Sequence, residues 1–269
     1  MAKTLLISDM SGYGKVALSA MMPVMTARKQ EIYTLPTALA SNTFDYGKAV
    51  LFSTGEYVNN TLEMWDSLGF DFDAVFTGFI ADDNQAQVIA GYCEKQATAG
   101  TKIFTDPIMG DMGQLYPGIS DKIIECMRKT VSVSDYIMPN MTEAAMLTGT
   151  DYSRKLSKEE TFALIDKLRG MGAKNVVITS CITDDVHCCA GYDYNKNQYF
   201  IIPFEYIDVR IPGTGDTFSS VIIADIMNGM DFETAVKDAM DTVYRLIMLN
   251  KDNPDLYKGM EFEKYLEEI

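Results

Sequence analysis

Short runs of β-branched and apolar residues recur along this chain, and each is followed by a stretch with the 3.6-residue rhythm of a helix. Residues 4–8, 32–35, 74–79, 102–105 and 175–180 read as strands, the last being Asn175-Val176-Val177-Ile178-Thr179-Ser180. Helical period runs through Val16, Ala17, Ala20, Met21 and Val24, then over residues 58–68, 82–99 and 158–172. This alternation predicts an α/β fold with a mostly parallel sheet covered on both faces, in which ligands gather beyond the carboxyl ends of the strands. Residues 186–192 and 198–204 predict a hairpin across Asn195-Lys196-Asn197, and 232–250 and 262–266 predict two closing helices. Nothing marks a linker or repeat, so residues 1–269 are expected to form a single domain with a sizeable core, 47% of the chain being apolar.

Polar residues cluster after several of these strands. Ile211-Pro212-Gly213-Thr214-Gly215-Asp216 is a glycine-rich turn that opens into an apolar helix through Val221, Ile222, Ile223, Ile226 and Met227. Thr214 reads as its N-cap. The unpaired N–H groups and positive dipole end of such a helix favour an anion. Asp216 in the first turn would then be a base beside donors for developing negative charge, the combination that phosphoryl transfer to an alcohol requires. The same residues also suit a plain helix cap. They form no Walker loop, and Phe218 stands where a dinucleotide fingerprint needs its third glycine.

Other strand exits add to this. Asp9-Met10-Ser11-Gly12-Tyr13-Gly14-Lys15 is expected to be a substrate-side loop, and Ser41-Asn42-Thr43-Phe44-Asp45-Tyr46-Gly47 either a flap over a site or a surface loop. Asp106-Pro107-Ile108-Met109-Gly110-Asp111 carries two carboxylates that suit a magnesium-bound polyphosphate, or simply a turn. Pro139-Asn140-Met141-Thr142-Glu143 reads either as a helix start capped by Thr142, or as Asn140 and Glu143 directed at a metal–phosphate cluster.

Charge narrows the partners. Thirty-eight acidic against 23 basic side chains give −15, which argues against nucleic acid or an anionic membrane but leaves a metal-neutralised nucleotide open. No apolar run is long enough to span a membrane, and the N-terminus reads as a strand rather than a signal peptide. Five cysteines without regular spacing predict free thiols in a reducing cytoplasm, and His187-Cys188-Cys189 lacks the spacing of a zinc site.

Taken in order, Gly12-Tyr13-Gly14, Phe76-Thr77-Gly78-Phe79, Asp106-Pro107-(x)2-Gly110-Asp111, Leu115-Tyr116-Pro117, Pro139-Asn140-(x)2-Glu143, Val176-Val177-Ile178-Thr179-Ser180 and Gly213-Thr214-Gly215-Asp216 resemble the ribokinase-like superfamily, and within it the pyridoxal kinases. The resemblance implies a three-layer α/β/α kinase, a homodimer, that uses ATP and Mg2+ to phosphorylate the 5′-hydroxymethyl group of pyridoxal, pyridoxamine or pyridoxine. It makes Asp216 the base, with Gly213, Thr214 and Gly215 as the anion hole. Asp106, Asn140, Glu143, Thr179 and Ser180 would face the nucleotide phosphates, Asp111 and Glu143 the metal, and Ile207, Asp208 and Val209 the adenine. Asp9, Thr43, Phe79 and Tyr116 would meet the substrate. The chain departs from relatives at Phe44-Asp45-Tyr46, where many carry Thr-Gly-Tyr, and at Met138, where many carry threonine beside a monovalent cation. Gly215-Asp216 stands where hydroxymethylpyrimidine kinases often carry Gly-Cys. That kinase, a sugar or nucleoside kinase, and a non-catalytic nucleotide- or vitamin-binding module are the alternatives; the sugar kinases usually need a small extra sheet, and no additional strands are expected after strand one.

Overall fold

The computed structural model describes residues 1–269. In chain order its elements begin with β1 (Lys3–Tyr13), α1 (Leu18–Ala27), β2 (Glu31–Asn42), β3 (Leu51–Ser53), α2 (Gly55–Leu68) and β4 (Ala74–Thr77). There follow α3 (Asp83–Ala99), β5 (Lys102–Thr105), β6 (Gly110–Asp111), β7 (Gln114–Leu115), α4 (Lys122–Ser132), β8 (Tyr136–Ile137), α5 (Met141–Thr148) and β9 (Lys155–Leu156). The chain closes with α6 (Lys158–Gly170), β10 (Asn175–Thr183), β11 (Val186–Asp193), β12 (Gln198–Pro203), α7 (Thr214–Met227) and α8 (Phe232–Asn250). These elements form two compact units, Met1–Ala74 with Ile207–Ile269, and Val75–Tyr206.

In the first unit β1 runs parallel to β2, and β3 pairs antiparallel with β2. Leu5, Leu6 and Ile7 are all fully buried, so both faces of β1 are covered, as a parallel strand requires. Helix α7 is apolar nearly all round and buried from Thr217 to Ile226, and α8 turns Ala235, Val236, Ala239 and Leu246 inward. The β1–β2 register slips between Ser8 and Met10, opposite Pro36, whose missing N–H cannot continue a ladder. Asp9 sits at this slip.

Three expectations fail here. The loop expected from Asp9 to Lys15 is largely strand, because β2 runs on past Pro36 and offers partners as far as Tyr13↔Asn42. The turn closes only afterwards, where the Ser11 hydroxyl donates to the Gly14 carbonyl at 2.7 Å. The added strand that the sequence did not suggest is β3, with Leu51, Phe52 and Ser53 all exposed. Residues 262–266 also differ, forming 3-10 turns at Phe262–Lys264 and Leu266–Glu268 instead of an amphipathic helix.

In the second unit the strand order is β12-β11-β10-β8-β5-β4, with β9 beside β10. The β5–β8 and β8–β10 pairs are parallel, and β10, β11 and β12 form antiparallel hairpins. The hairpin expected across Asn195-Lys196-Asn197 is β11–β12, and β10 runs beyond Ser180 to Thr183. Helix α3 starts where the Asp82 carboxylate accepts the Gln85 N–H at 2.9 Å and ends at left-handed Gly100. Helix α4 is an element sequence reasoning passed over, although Ile123, Cys126, Met127, Thr130 and Val131 give it a regular inner face.

Gly172 joins α6 to β10 with φ +121°, and a Cβ there would lie 2.3 Å from the Ser132 carbonyl oxygen. Gly172→Ala is expected to destabilise the fold by about 1–3 kcal/mol, read as a thermal midpoint several degrees lower. An unchanged midpoint would mean that this connection yields to the methyl group.

Candidate active site

Helix α7 is capped at Gly213, not at Thr214. Gly213 is the N-cap, with φ 84°, and a Cβ on it would fall 2.1 Å from the Lys15 carbonyl oxygen, so only glycine fits. Thr214 is the first helical residue and makes no side-chain cap. The Thr217 and Ser220 hydroxyls bond back to the Gly213 and Asp216 carbonyls at 2.8 and 2.6 Å, and helix geometry itself gives the first-turn N–H groups of Thr214 and Gly215 no carbonyl one turn back to bond. Gly215 is exposed, with nothing within 4 Å of where a Cβ would stand. An anion can approach there.

Asp216 keeps part of its surface open although protein packs around it. That packing pushes its carboxyl above the ordinary carboxylate range, while the N–H groups of Ala17 and of Asp216 itself pull the other way. Ala17 adopts φ 47°, a costly backbone for a residue with a side chain, and its N–H is spent on Asp216. No side-chain signal in the sequence could reveal this. Asp9, buried at the β1 slip, is raised to about 7, first by burial and then by the charge of Asp216.

The flap residue Thr43 is turned inward and engaged with the C-terminal segment. It is 1% exposed, and its hydroxyl donates to the Tyr257 carbonyl at 2.6 Å. Between Ile207 and Ile211, Ile207 and Val209 are half-buried and Asp208 is exposed, with the Val209 N–H turned back to the Ile207 carbonyl at 2.8 Å.

The second unit gathers a different set. Asn140 caps α5 in a reciprocal box: its Oδ1 accepts the Glu143 N–H at 3.0 Å, and Glu143 Oε2 accepts the Asn140 N–H at 2.8 Å. Thr142, the cap expected from sequence, instead accepts the Gly113 N–H at 2.9 Å. Asn140 Nδ2 donates to the Gly110 carbonyl at 2.9 Å and ties the β6–β7 hairpin to the helix start. Glu143 is 2% exposed, and its Oε1 accepts the Met109 N–H at 3.2 Å. Burial and then the Asp106 carboxylate hold Glu143 well above the usual range, against the pull of three backbone N–H groups. Two buried acids that repel each other fit a cation, and magnesium commonly takes one or two carboxylates, with phosphate oxygens and water completing its shell.

Asp111 does not join them. It is exposed, accepts the Met112 N–H at 2.8 Å, and no group of three or more acidic, histidine or cysteine side chains stands ready to hold a metal. Met138 is buried and presents a thioether, a poor ligand for a hard monovalent cation. Thr179 donates its N–H to the Pro139 carbonyl at 2.9 Å, beside Asn140, and exposed Ser180 takes φ 54° at the slip in β10. Phe79 is half-buried at the exit of β4, and the exposed Tyr116 donates its N–H to the Met109 carbonyl at 2.9 Å.

The sequence profile of the phosphomethylpyrimidine kinase family matches residues 18–260. The chain belongs to the phosphomethylpyrimidine kinase family. It is 26% identical over 238 residues to the pyridoxine/pyridoxal/pyridoxamine kinase of Bordetella avium, covering 84% of this chain and 77% of that one. Among curated relatives the matched stretch ranges from 49% to 77% of their own lengths. A Bacteroides thetaiotaomicron protein named as a phosphomethylpyrimidine kinase, solved with pyridoxal, superposes with a TM-score of 0.93 at 27% identity, covering 99% of this chain and 95% of that one. The Leishmania donovani pyridoxal kinase, solved with ADP and pyridoxamine, shares the fold at a TM-score of 0.86 and 21% identity, covering 99% and 95%. The fold is thus the ribokinase-like α/β fold expected from the sequence.

Because Asp9 is raised to about 7, the folded chain keeps a proton that the unfolded chain, with an ordinary value of about 3.9, gives up. This contribution to stability is fully present at low pH and is lost as pH rises through about 7. Asp9→Asn is therefore expected to flatten the fall in thermal midpoint between about pH 4.5 and 8. Parallel curves for the two proteins would mean that Asp9 titrates as an ordinary carboxylate.

Proposed function

We propose that this chain is an ATP-dependent kinase that phosphorylates the 5′-hydroxymethyl group of pyridoxal, pyridoxamine or pyridoxine. The observation that carries this reading is Asp216, a carboxylate raised above its ordinary value in the first turn of α7, next to open helix-start N–H groups. Pyridoxal in the Bacteroides relative and ADP in the Leishmania one support the choice of substrates.

From the first unit, Asp216 takes the hydroxyl proton as the oxygen attacks, and the amides at Gly213, Thr214 and Gly215 face the charge that develops on the transferred phosphoryl group. Asp9, poised near neutrality, both donates to and accepts from polar substituents of the pyridine ring. Ile207, Asp208 and Val209 border the adenine. From the second unit, Phe79 stacks on the ring and Tyr116 approaches the phosphate, while Asn140, Thr179 and Ser180 orient the nucleotide phosphates. Asp106 and Glu143 would hold magnesium, which when bound neutralises phosphate charge. Transfer of this kind needs little beyond positioning and electrostatics.

The family profile also keeps a hydroxymethylpyrimidine kinase in view, and Asp216 in place of a cysteine favours the pyridoxal reading. The chain works, on this proposal, as one kinase domain in the cytoplasm, where its five cysteines stay free thiols. We further propose a homodimer. Met10, Leu39 and Phe52 are register partners across β1, β2 and β3 and stand 40%, 46% and 66% exposed, an apolar row that a second copy would cover.

With ATP and each of the vitamers and hydroxymethylpyrimidine in turn, pyridoxal, pyridoxamine or pyridoxine should be the best acceptor. Asp216→Asn should lower kcat about 10²-fold or more while the KM for ATP changes little. A variant near wild-type kcat would remove Asp216 from the role of base. Replacing Leu39 and Phe52 together by glutamate should halve the mass seen by light scattering. A wild-type chain already running as a monomer would overturn the dimer.

A further inference from the structure

Beyond α8 the chain turns back over the loops of the first unit and holds them. The Lys15 N–H donates to the Lys258 carbonyl at 2.7 Å, and the Thr43 hydroxyl to the Tyr257 carbonyl at 2.6 Å. The Tyr46 hydroxyl lies 2.8 and 2.7 Å from the two carboxylate oxygens of Asp255, and the Tyr13 hydroxyl reaches one of them at 3.4 Å. The Tyr46 ring sits 5.9 Å from that of Tyr13 and 5.6 Å from that of Tyr257. Burial and the Asp255 carboxylate both raise the Tyr46 phenol, so it stays a donor.

Glycines mark how closely these segments approach. A Cβ on Gly14 would fall 2.4 Å from the Thr43 methyl, and one on Gly259 would fall 2.7 Å from the Lys15 carbonyl oxygen and 3.1 Å from that of Pro212. The Lys15 carbonyl is the one that also excludes a side chain at Gly213. The C-terminal segment, the Gly12–Lys15 turn and the anion loop therefore meet at a single point. On the other flank Arg210 Nε donates to Asp45 Oδ1 at 2.6 Å, fastening the flap to the residues just before Ile211.

We propose that Asp255 is a positioning residue for the acceptor alcohol. Through the phenols of Tyr46 and Tyr13 it fixes residues 43–47 and 12–15 against the Gly213 loop, and so sets where the substrate hydroxyl stands relative to Asp216. None of these side chains touches the reacting atoms. The inference rests on the kinase reading above, because it is the alcohol, not the nucleotide, whose placement the segment governs. Small misplacements of a reacting group are enough to be seen in kinetics.

The test compares Asp255→Ala with Asp255→Asn, which keeps an acceptor oxygen for the phenols. Asp255→Ala should raise the KM for the preferred vitamer about tenfold and leave the KM for ATP within about twofold, and Asp255→Asn should restore most of the difference. Hydrogen exchange should quicken at the amides of residues 12–15 and 43–47 in the alanine variant while the thermal midpoint hardly moves. Unchanged exchange in those two segments would overturn the proposal, as would two KM values that rise together with a falling midpoint. A wild-type chain that phosphorylates no vitamer sinks the kinase reading; an active wild type with an unaltered Asp255→Ala sinks this inference alone.

Discussion

Asp216 is held by protein in a place where a carboxylate is expensive. The Ala17 N–H, the residue's own N–H and the dipole of α7 favour its charged form, and packing disfavours it; packing wins, and the carboxyl sits above its ordinary range. Much of the first unit can be understood as what this arrangement needs. α7 is buried along most of its length and cannot shift without disturbing the core. Its far end is fastened as well: Arg28 reaches Asp225 at 2.5 Å and Asp238 on α8 at 2.6 Å. Asp225 is still raised to about 6, because burial outweighs the arginine and Asp238 repels it. Such a buried pair is weak evidence for stability, since removing charges from water costs as much as the pair regains. It does fix how α1, α7 and α8 meet.

The same tension appears in the second unit, where Glu143 accepts several N–H groups yet is forced upward by burial and by Asp106. In both units backbone N–H groups pull buried acids down and desolvation pushes them up. A structure selected for stability alone would replace these acids with neutral groups. Their retention is understandable if each charge has a counterpart that arrives with the substrates, and a chain of net charge −15 gains no electrostatic relief from its own surface.

The elements that sequence reasoning found were those whose information lies in side-chain period and caps. α3 and α8 were legible because Asp82, Gly100 and the spacing of their apolar residues each point the same way. The Asn140–Glu143 box was visible as a motif, though its structural and functional readings could not be separated, and in the fold Asn140 and Glu143 form the cap. What could not be read was register. The outer half of β1 looks like a loop because Asp9, Gly12 and Gly14 are turn residues, and only pairing with β2 makes it a strand. α4 carries a clear period but no polar motif, and its start lacks a side-chain cap to mark it.

The site itself is written more in backbone than in side chains. Asp9 stands at a slip in β1, Ser180 at a slip in β10 with φ 54°, and Ala17 at φ 47° gives its N–H to Asp216. None of these conformations follows from the residue type occupying it; alanine and serine are not residues that seek positive φ. Each persists because neighbours over-determine it, as the Lys15 carbonyl does at Gly213 and Gly259. A sequence motif can therefore name the acids and the glycines. It cannot show that the groups aiming them are a strand register, a strained alanine and a carbonyl held by the far end of the chain.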